Sequence, residues 1–143
     1  KLLIEQDIPL DSADSDHRTA LIHASRNDHY DVAKLLIEKG ALLLPVDGDA
    51  GWMERTALMF ASYAGDEDIV KLLIERGARL DLQDRNGKTA LILAAYKGRS
   101  YIVRRLIYHG APLDITDNMG YTALYAADKV CLGVVGILIE EGA

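Results

Sequence analysis

The sequence predicts an all-α solenoid of stacked helix-turn-helix units with projecting β-hairpin-like fingers, and three observations support that expectation. The tripeptide Thr-Ala-Leu begins at Thr19, Thr56, Thr89 and Thr122, at steps of 37, 33 and 33, and Gly-Ala follows each copy at Gly40, Gly77, Gly110 and Gly142. A fixed period of this length marks a repeat architecture before any local pattern is considered. Half of the residues are hydrophobic but only 6% are aromatic. The core must therefore rest on Leu, Ile, Val and Ala, which suits helices better than a β-sandwich. Lastly, the segment before each Gly-Ala has an apolar stripe too broad for one neighbour, as in Ile69, Val70, Leu72, Leu73 and Ile74. Such a helix is expected to lie sandwiched between two others, so the units must stack.

Taken in order, the chain first shows "KLLIEQDIPLDSAD", which aligns with "KLLIERGARLDLQD" further on. Residues 1–13 thus read as a partial unit beginning inside a second helix, with Asp7 in the place of glycine, and the chain as a segment of a longer array. Fuller units are expected at 14–46, 47–83, 84–116 and 117–143. In each of them the threonine is a good N-cap for a first helix. Small residues such as Ala61, Ser62, Ala94 and Ala95 let a second helix pack close. Gly65 and Gly98 then break the chain, and the glycine of Gly-Ala sits just past the second helix, where a left-handed residue is least strained. Asn86-Gly87 signals a tight turn in the third unit.

Two units depart from this plan. Extra residues between Asp47 and Thr56 lengthen the second finger and bring in Trp52, the chain's single tryptophan, while Glu54 replaces the glycine found at Gly87 and Gly120. A distinct finger shape is expected there, at little entropic cost, because loop closure grows slowly with length. The fourth unit is one residue short between Thr122 and Gly142 and places Gly133 and Gly136 inside its second helix. Each glycine costs about 1 kcal/mol relative to alanine, so this should be the loosest complete unit. Its stripe of Val134, Val135, Ile137, Leu138 and Ile139 is that of an interior unit rather than a polar cap.

The combined pattern "D-x-x-G-x-T-A-L…A-A…G…I-V…L-I…G-A" resembles the ankyrin repeat over nearly the whole chain. The family's usual Thr-Pro-Leu-His is replaced by Thr-Ala-Leu followed by Ile22, Met59, Ile92 or Tyr125. This loses the proline at the helix start and the histidine that bonds to the threonine, so weaker caps are expected on the same fold. The resemblance implies a non-catalytic module that binds a protein partner through its concave groove and finger tips.

Composition narrows the alternatives. The net charge of −6 opposes nucleic-acid phosphates and anionic headgroups, so neither nucleic acid nor membrane is the expected partner. No apolar run approaches the length of a bilayer span, and no signal-peptide order opens the chain. A single cysteine, Cys131, cannot form an intrachain disulfide and fits a reducing compartment, so the expected location is cytoplasmic.

No catalytic, cofactor or metal residues are expected. His17, His23 and His29 lie six apart, whereas metal ligands on one helix face need spacings of three or four. Asp47 and Asp49 resemble the start of a calcium loop, but Leu58 stands where the closing glutamate belongs. Cys131 has only Lys129 near it as a basic neighbour and reads as a packed thiol. Neither a glycine-rich phosphate loop nor a serine-nucleophile motif occurs.

The candidate partner-binding residues lie on the expected groove. Seven residues after successive threonines come Arg26, Tyr63 and Tyr96, with Lys97 following; the finger tips add Trp52, Met53 and Arg55, then Arg85 and Lys88, then Met119 and Tyr121. Trp, Tyr and Arg are the residues enriched in interface hot spots. Tyr63 and Tyr96 are expected to be neighbours, Phe60 and Leu93 to belong to the core, and Trp52 to meet the partner, seal its own finger, or both. The third unit is basic through Arg85, Lys88, Lys97, Arg99, Arg104 and Arg105. A partner with acidic residues around an apolar anchor would suit it. Arg99, Arg104 and Arg105 are assigned to a solvated second-helix face turned away from the groove. The alternative function is a regulatory or substrate-docking segment of a larger enzyme or channel, and a third reading is a structural spacer.

Overall fold

The computed structural model describes residues 9–44, 55–128 and 131–143, which form eight helices in four consecutive pairs. The pairs are α1 (Ala20–Arg26) with α2 (Tyr30–Glu38), α3 (Ala57–Ala64) with α4 (Glu67–Glu75), α5 (Ala90–Tyr96) with α6 (Ser100–Tyr108), and α7 (Ala123–Asp128) with α8 (Leu132–Glu140). The expected helix of the partial first unit and the lengthened second finger, with Trp52 and Met53, lie outside the described residues. Among the described residues there is no strand, only an isolated antiparallel bridge between Ala13 and Thr19, and no helix is long and apolar enough to cross a membrane.

Helix starts follow the threonine rule. Thr19, Thr56 and Thr89 adopt extended backbone, and their hydroxyls accept the N–H groups of Ile22, Met59 and Ile92 at 3.4, 3.2 and 3.2 Å. Thr122 receives the N–H of Tyr125 at 3.4 Å. In the second pair the cap is reciprocal, because the Met59 sulfur accepts the Thr56 N–H at 3.4 Å. A thioether is a weak acceptor. It nonetheless gives that N–H a partner in a unit that lacks the histidine.

The helices stack in two rows, α1, α3, α5 and α7 on the inside and α2, α4, α6 and α8 outside. Ala61, Ala94 and Ala95 are fully buried, as small residues must be where inner helices approach closely. Leu21, Leu58 and Leu91 from the inner row meet Ile69, Leu73, Ile102, Leu106 and Leu138 from the outer row in one continuous core. Each such side chain is worth about 1.5–3 kcal/mol of burial. Phe60 packs half-buried against this core and Leu93 is buried within it, as expected. In α8 the buried stripe is narrower than its sequence suggests, with Val134, Ile137 and Leu138 buried, Val135 half-buried and Ile139 exposed.

Between the helices of a pair the chain turns through a left-handed residue: Asp28 (φ 59), Gly65 (φ 93) and Gly98 (φ 68). Asp28 is the one of these three that has a side chain to accommodate. Its carboxyl lies beside that of Asp66, which caps α4 by accepting the Ile69 N–H at 3.1 Å. Burial first, and the Asp28 carboxyl second, push Asp66 up to about 6. One unit on, Arg99 behaves differently from the sequence expectation of a solvated helix face. It is the residue before α6, and its guanidinium covers Gly65 of the preceding pair, with Nε directed at the Tyr63 carbonyl at 3.4 Å.

Candidate binding groove

Each described finger is organised by one aspartate, five residues before the N-cap threonine. In the third, the Asp84 N–H donates to the Lys88 carbonyl at 2.9 Å, and its Oδ1 accepts the N–H groups of Asn86 and Lys88 at 2.9 Å each. Asp117 does the same for Met119 and Tyr121 at 2.9 and 3.0 Å, and Asp14 for Asp16 and Arg18 at 2.9 and 3.0 Å. The Arg18 N–H and then the His23 ring hold Asp14 down at about 2. Gly87 and Gly120 take the left-handed turn position at φ 75 and 82, and His17 fills it in the first finger at φ 57.

Neighbouring fingers are bonded to one another. The Asn118 side chain donates to the Arg85 carbonyl at 2.8 Å and its backbone N–H to the Asn86 carbonyl at 2.9 Å. Gln83 Nε2 reaches both the Gly87 and Thr116 carbonyls, at 2.7 and 2.9 Å. Arg55 joins the second unit to the third by donating to Asp84 Oδ2 at 3.0 Å. The third and fourth fingers are therefore pre-organised rather than assembled on binding, which lowers the ordering cost of an interface.

Behind this wall, α5, α7 and the third and fourth fingers enclose a cavity of about 440 Å³, in which Lys88, Tyr96, Met119 and Tyr121 come together with Ile92 and Tyr125. Four of the sequence-predicted residues thus share one site. Lys88 Nζ lies 5.1 Å from the Tyr96 ring centre, and Tyr121 stacks on Tyr125 at 4.0 Å and 18°. Tyr121 therefore leans on α7, the inner helix of its own unit. The Tyr125 hydroxyl and its charge are the main influences raising the Tyr121 phenol above its ordinary value.

Tyr125 was not among the residues chosen from sequence. Its signal was the repeat register: it stands three after Thr122, where Ile22, Met59 and Ile92 are buried, yet it is 43% exposed and faces the cavity. Toward the second unit the groove continues through Tyr63. Arg55 lies 5.3 Å and Lys97 4.9 Å from that ring centre, and Arg55 also lies 5.9 Å from Phe60. Two cations thus flank the Tyr63 ring. Such contacts are worth about 0.5–1 kcal/mol each at exposed sites. The resulting strip alternates aromatic faces with positive charge, a lining that can receive an apolar side chain and pair with carboxylates beside it.

The remaining candidates fall elsewhere. Arg26 is exposed at the end of α1 and Arg85 is exposed at the third finger tip, both outside that cavity. His17 sits in the first finger turn, His23 pairs with Asp14 at 2.7 Å, and His29 precedes α2 without a side-chain cap bond. Among the described residues no three His, Cys, Asp or Glu side chains gather as a metal site. The Cys131 thiol, half-buried at the start of α8, is lowered by the N–H groups of Val134 and Gly133 and by the Ser100 hydroxyl.

The sequence matches the family model for ankyrin repeats, in three copies, over residues 1–47 and 58–143. No curated protein matches it.

Proposed function

Because the chain belongs to the ankyrin-repeat family, we propose that it is a non-catalytic recognition module that holds a protein segment between its fingers and inner helices. Ankyrin repeats are generally protein–protein interaction modules. The observation that most supports this use of the groove is the cavity of Tyr96, Tyr121, Tyr125 and Met119 beside the Lys88 ammonium. It suits an apolar anchor residue flanked by carboxylates. Arg55, Lys97 and Arg85 would supply the basic rim, and Arg26, Trp52 and Met53 are proposed as further partner contacts. We also propose the unit boundaries 14–46, 47–83, 84–116 and 117–143 after a partial unit at 1–13, and a cytoplasmic setting.

The test is affinity capture from a lysate of the source organism with the native chain and with a Tyr63→Ala/Tyr96→Ala variant of unchanged circular dichroism and melting. A protein retained by the native chain and lost with the variant supports the groove. Identical retention by both removes it as the recognition site.

A further inference from the structure

The outer helices share features that α6 lacks at three positions. Aligned over their nine residues, α2, α4 and α8 each end in glutamate, at Glu38, Glu75 and Glu140, where α6 ends in Tyr108. At the second position Asp31, Asp68 and Gly133 correspond to Tyr101, and at the sixth Leu35, Leu72 and Ile137 correspond to Arg105. The other three helices contain more acidic than basic residues, whereas α6 has two arginines and no acid.

These substitutions gather in one place. Tyr101, Arg104, Arg105, Tyr108 and His109 line a cavity of about 450 Å³ on the outer row, with Glu141 from the end of α8 at its edge. Arg105 bonds to the Tyr101 hydroxyl and lies 5.0 Å from that ring centre, while Tyr108 is 86% exposed and meets the His109 ring edge-on at 5.2 Å. Arg105 Nε is buried and has no hydrogen-bond partner among the described residues. Leucine or isoleucine fills this position in every other outer helix without such a penalty. A buried donor left without a partner, where the other outer helices keep leucine or isoleucine, is a place where a functional role is to be expected.

We propose that this outer face of α6 is a second recognition site, separate from the groove, for an acidic protein segment. Its carboxylates meet Arg104 and Arg105, and an apolar side chain lies on the Tyr101 and Tyr108 rings. Charge complementarity favours this occupant: the patch is basic on a chain of net charge −6, which repels extended polyanions and anionic surfaces at longer range. Glu141 opposes a carboxylate at the cavity edge and so limits affinity.

The experiment is selection from a random-peptide display library on the native chain and on a Tyr101→Asp/Arg105→Leu/Tyr108→Glu variant, which restores residues the chain already uses at these positions. Peptides with acidic residues around an apolar one are expected from the native chain. They should bind the variant roughly tenfold more weakly or worse, bind Glu141→Gln more tightly, and weaken as salt rises. Nuclear magnetic resonance shifts on titration should localise to α6 and the end of α8. Should the triple variant unfold, Arg104→Gln/Tyr108→Glu serves the same purpose. Selection of no acidic peptides would overturn the proposal, as would shifts confined to the groove. A single-stranded oligonucleotide or phosphatidylserine vesicles binding in an Arg104- and Arg105-dependent way, with no acidic peptide selected, would also overturn it.

Discussion

Arg55 donates to Asp84 across the boundary between the second and third units, 3.0 Å from a carboxylate whose side chain is only 3% exposed. The same guanidinium lies over Tyr63 in the groove, so one residue couples the stacking of two units to the shape of the binding surface. Removing it leaves a buried charge with only its finger N–H partners. Arg55→Ala should destabilise the fold by about 1–2 kcal/mol, and Arg55→Lys by less. Chemical denaturation measures both, and an Arg55→Ala variant as stable as the native chain would show that the contact is not structural.

Gly65 and Arg99 form a second junction between units. A Cβ at Gly65 would stand 2.7 Å from Arg99 Nε on a residue held at φ 93. Gly65→Ala is expected to cost about 1–2 kcal/mol, part from the left-handed backbone and part from displacing the guanidinium. A double-mutant cycle with Arg99→Ala should show coupling of at least about 0.5 kcal/mol. Strict additivity would mean that the guanidinium moves aside freely.

Asp28 and Asp66 predict a pH dependence. Asp66 titrates near 6 in the fold against 3.8 in the unfolded chain. Its favourable contribution is therefore complete below about 4, where both states are protonated, and is lost as pH rises through about 6. The residue is half-buried, and screening at its exposed part reduces the effect to about 1 kcal/mol. Asp66→Asn keeps a capping side chain and should gain stability over the native chain between pH 4 and 7, read from melting midpoints. Parallel curves would contradict the pairing.

Ser62 is fully buried in α3 with a hydroxyl that has no partner among the described residues. The third unit has Ala95 at the same register. Ser62→Ala should stabilise the fold by about 0.5–1 kcal/mol through helix propensity and removal of an unpaired polar group. A loss of stability would reveal a hydrogen bond, direct or through water, that the hydroxyl makes in solution.

The architecture was legible because its signals are local. A threonine cap, a glycine at a left-handed turn and the apolar spacing of Ile69, Val70, Leu72 and Leu73 each follow from residue type and position, and the period repeats them. Lys88, Tyr96, Met119 and Tyr121 were legible for the same reason, since register places them on fingers and inner-helix ends. What stayed hidden depends on contacts between units. Tyr125 stands out in its register only as a tyrosine among Ile22, Met59 and Ile92, and its exposure toward the cavity depends on the stacked units; nothing local tells that Arg99 reaches back over Gly65. The Asp28 and Asp66 carboxyls are far apart in sequence and meet only once helices stack. Arg105 looked like an ordinary surface arginine until the stacked outer row showed its position to belong to leucine.

The most direct test of the groove is titration calorimetry of a captured protein partner against the native chain and a Tyr96→Ala/Tyr125→Ala variant with unchanged circular dichroism and melting. If the cavity holds the partner's anchor, affinity should fall roughly a hundredfold, the loss typical of truncating two hot-spot aromatics. An unchanged dissociation constant would place recognition elsewhere on the chain and contradict the assignment of the groove.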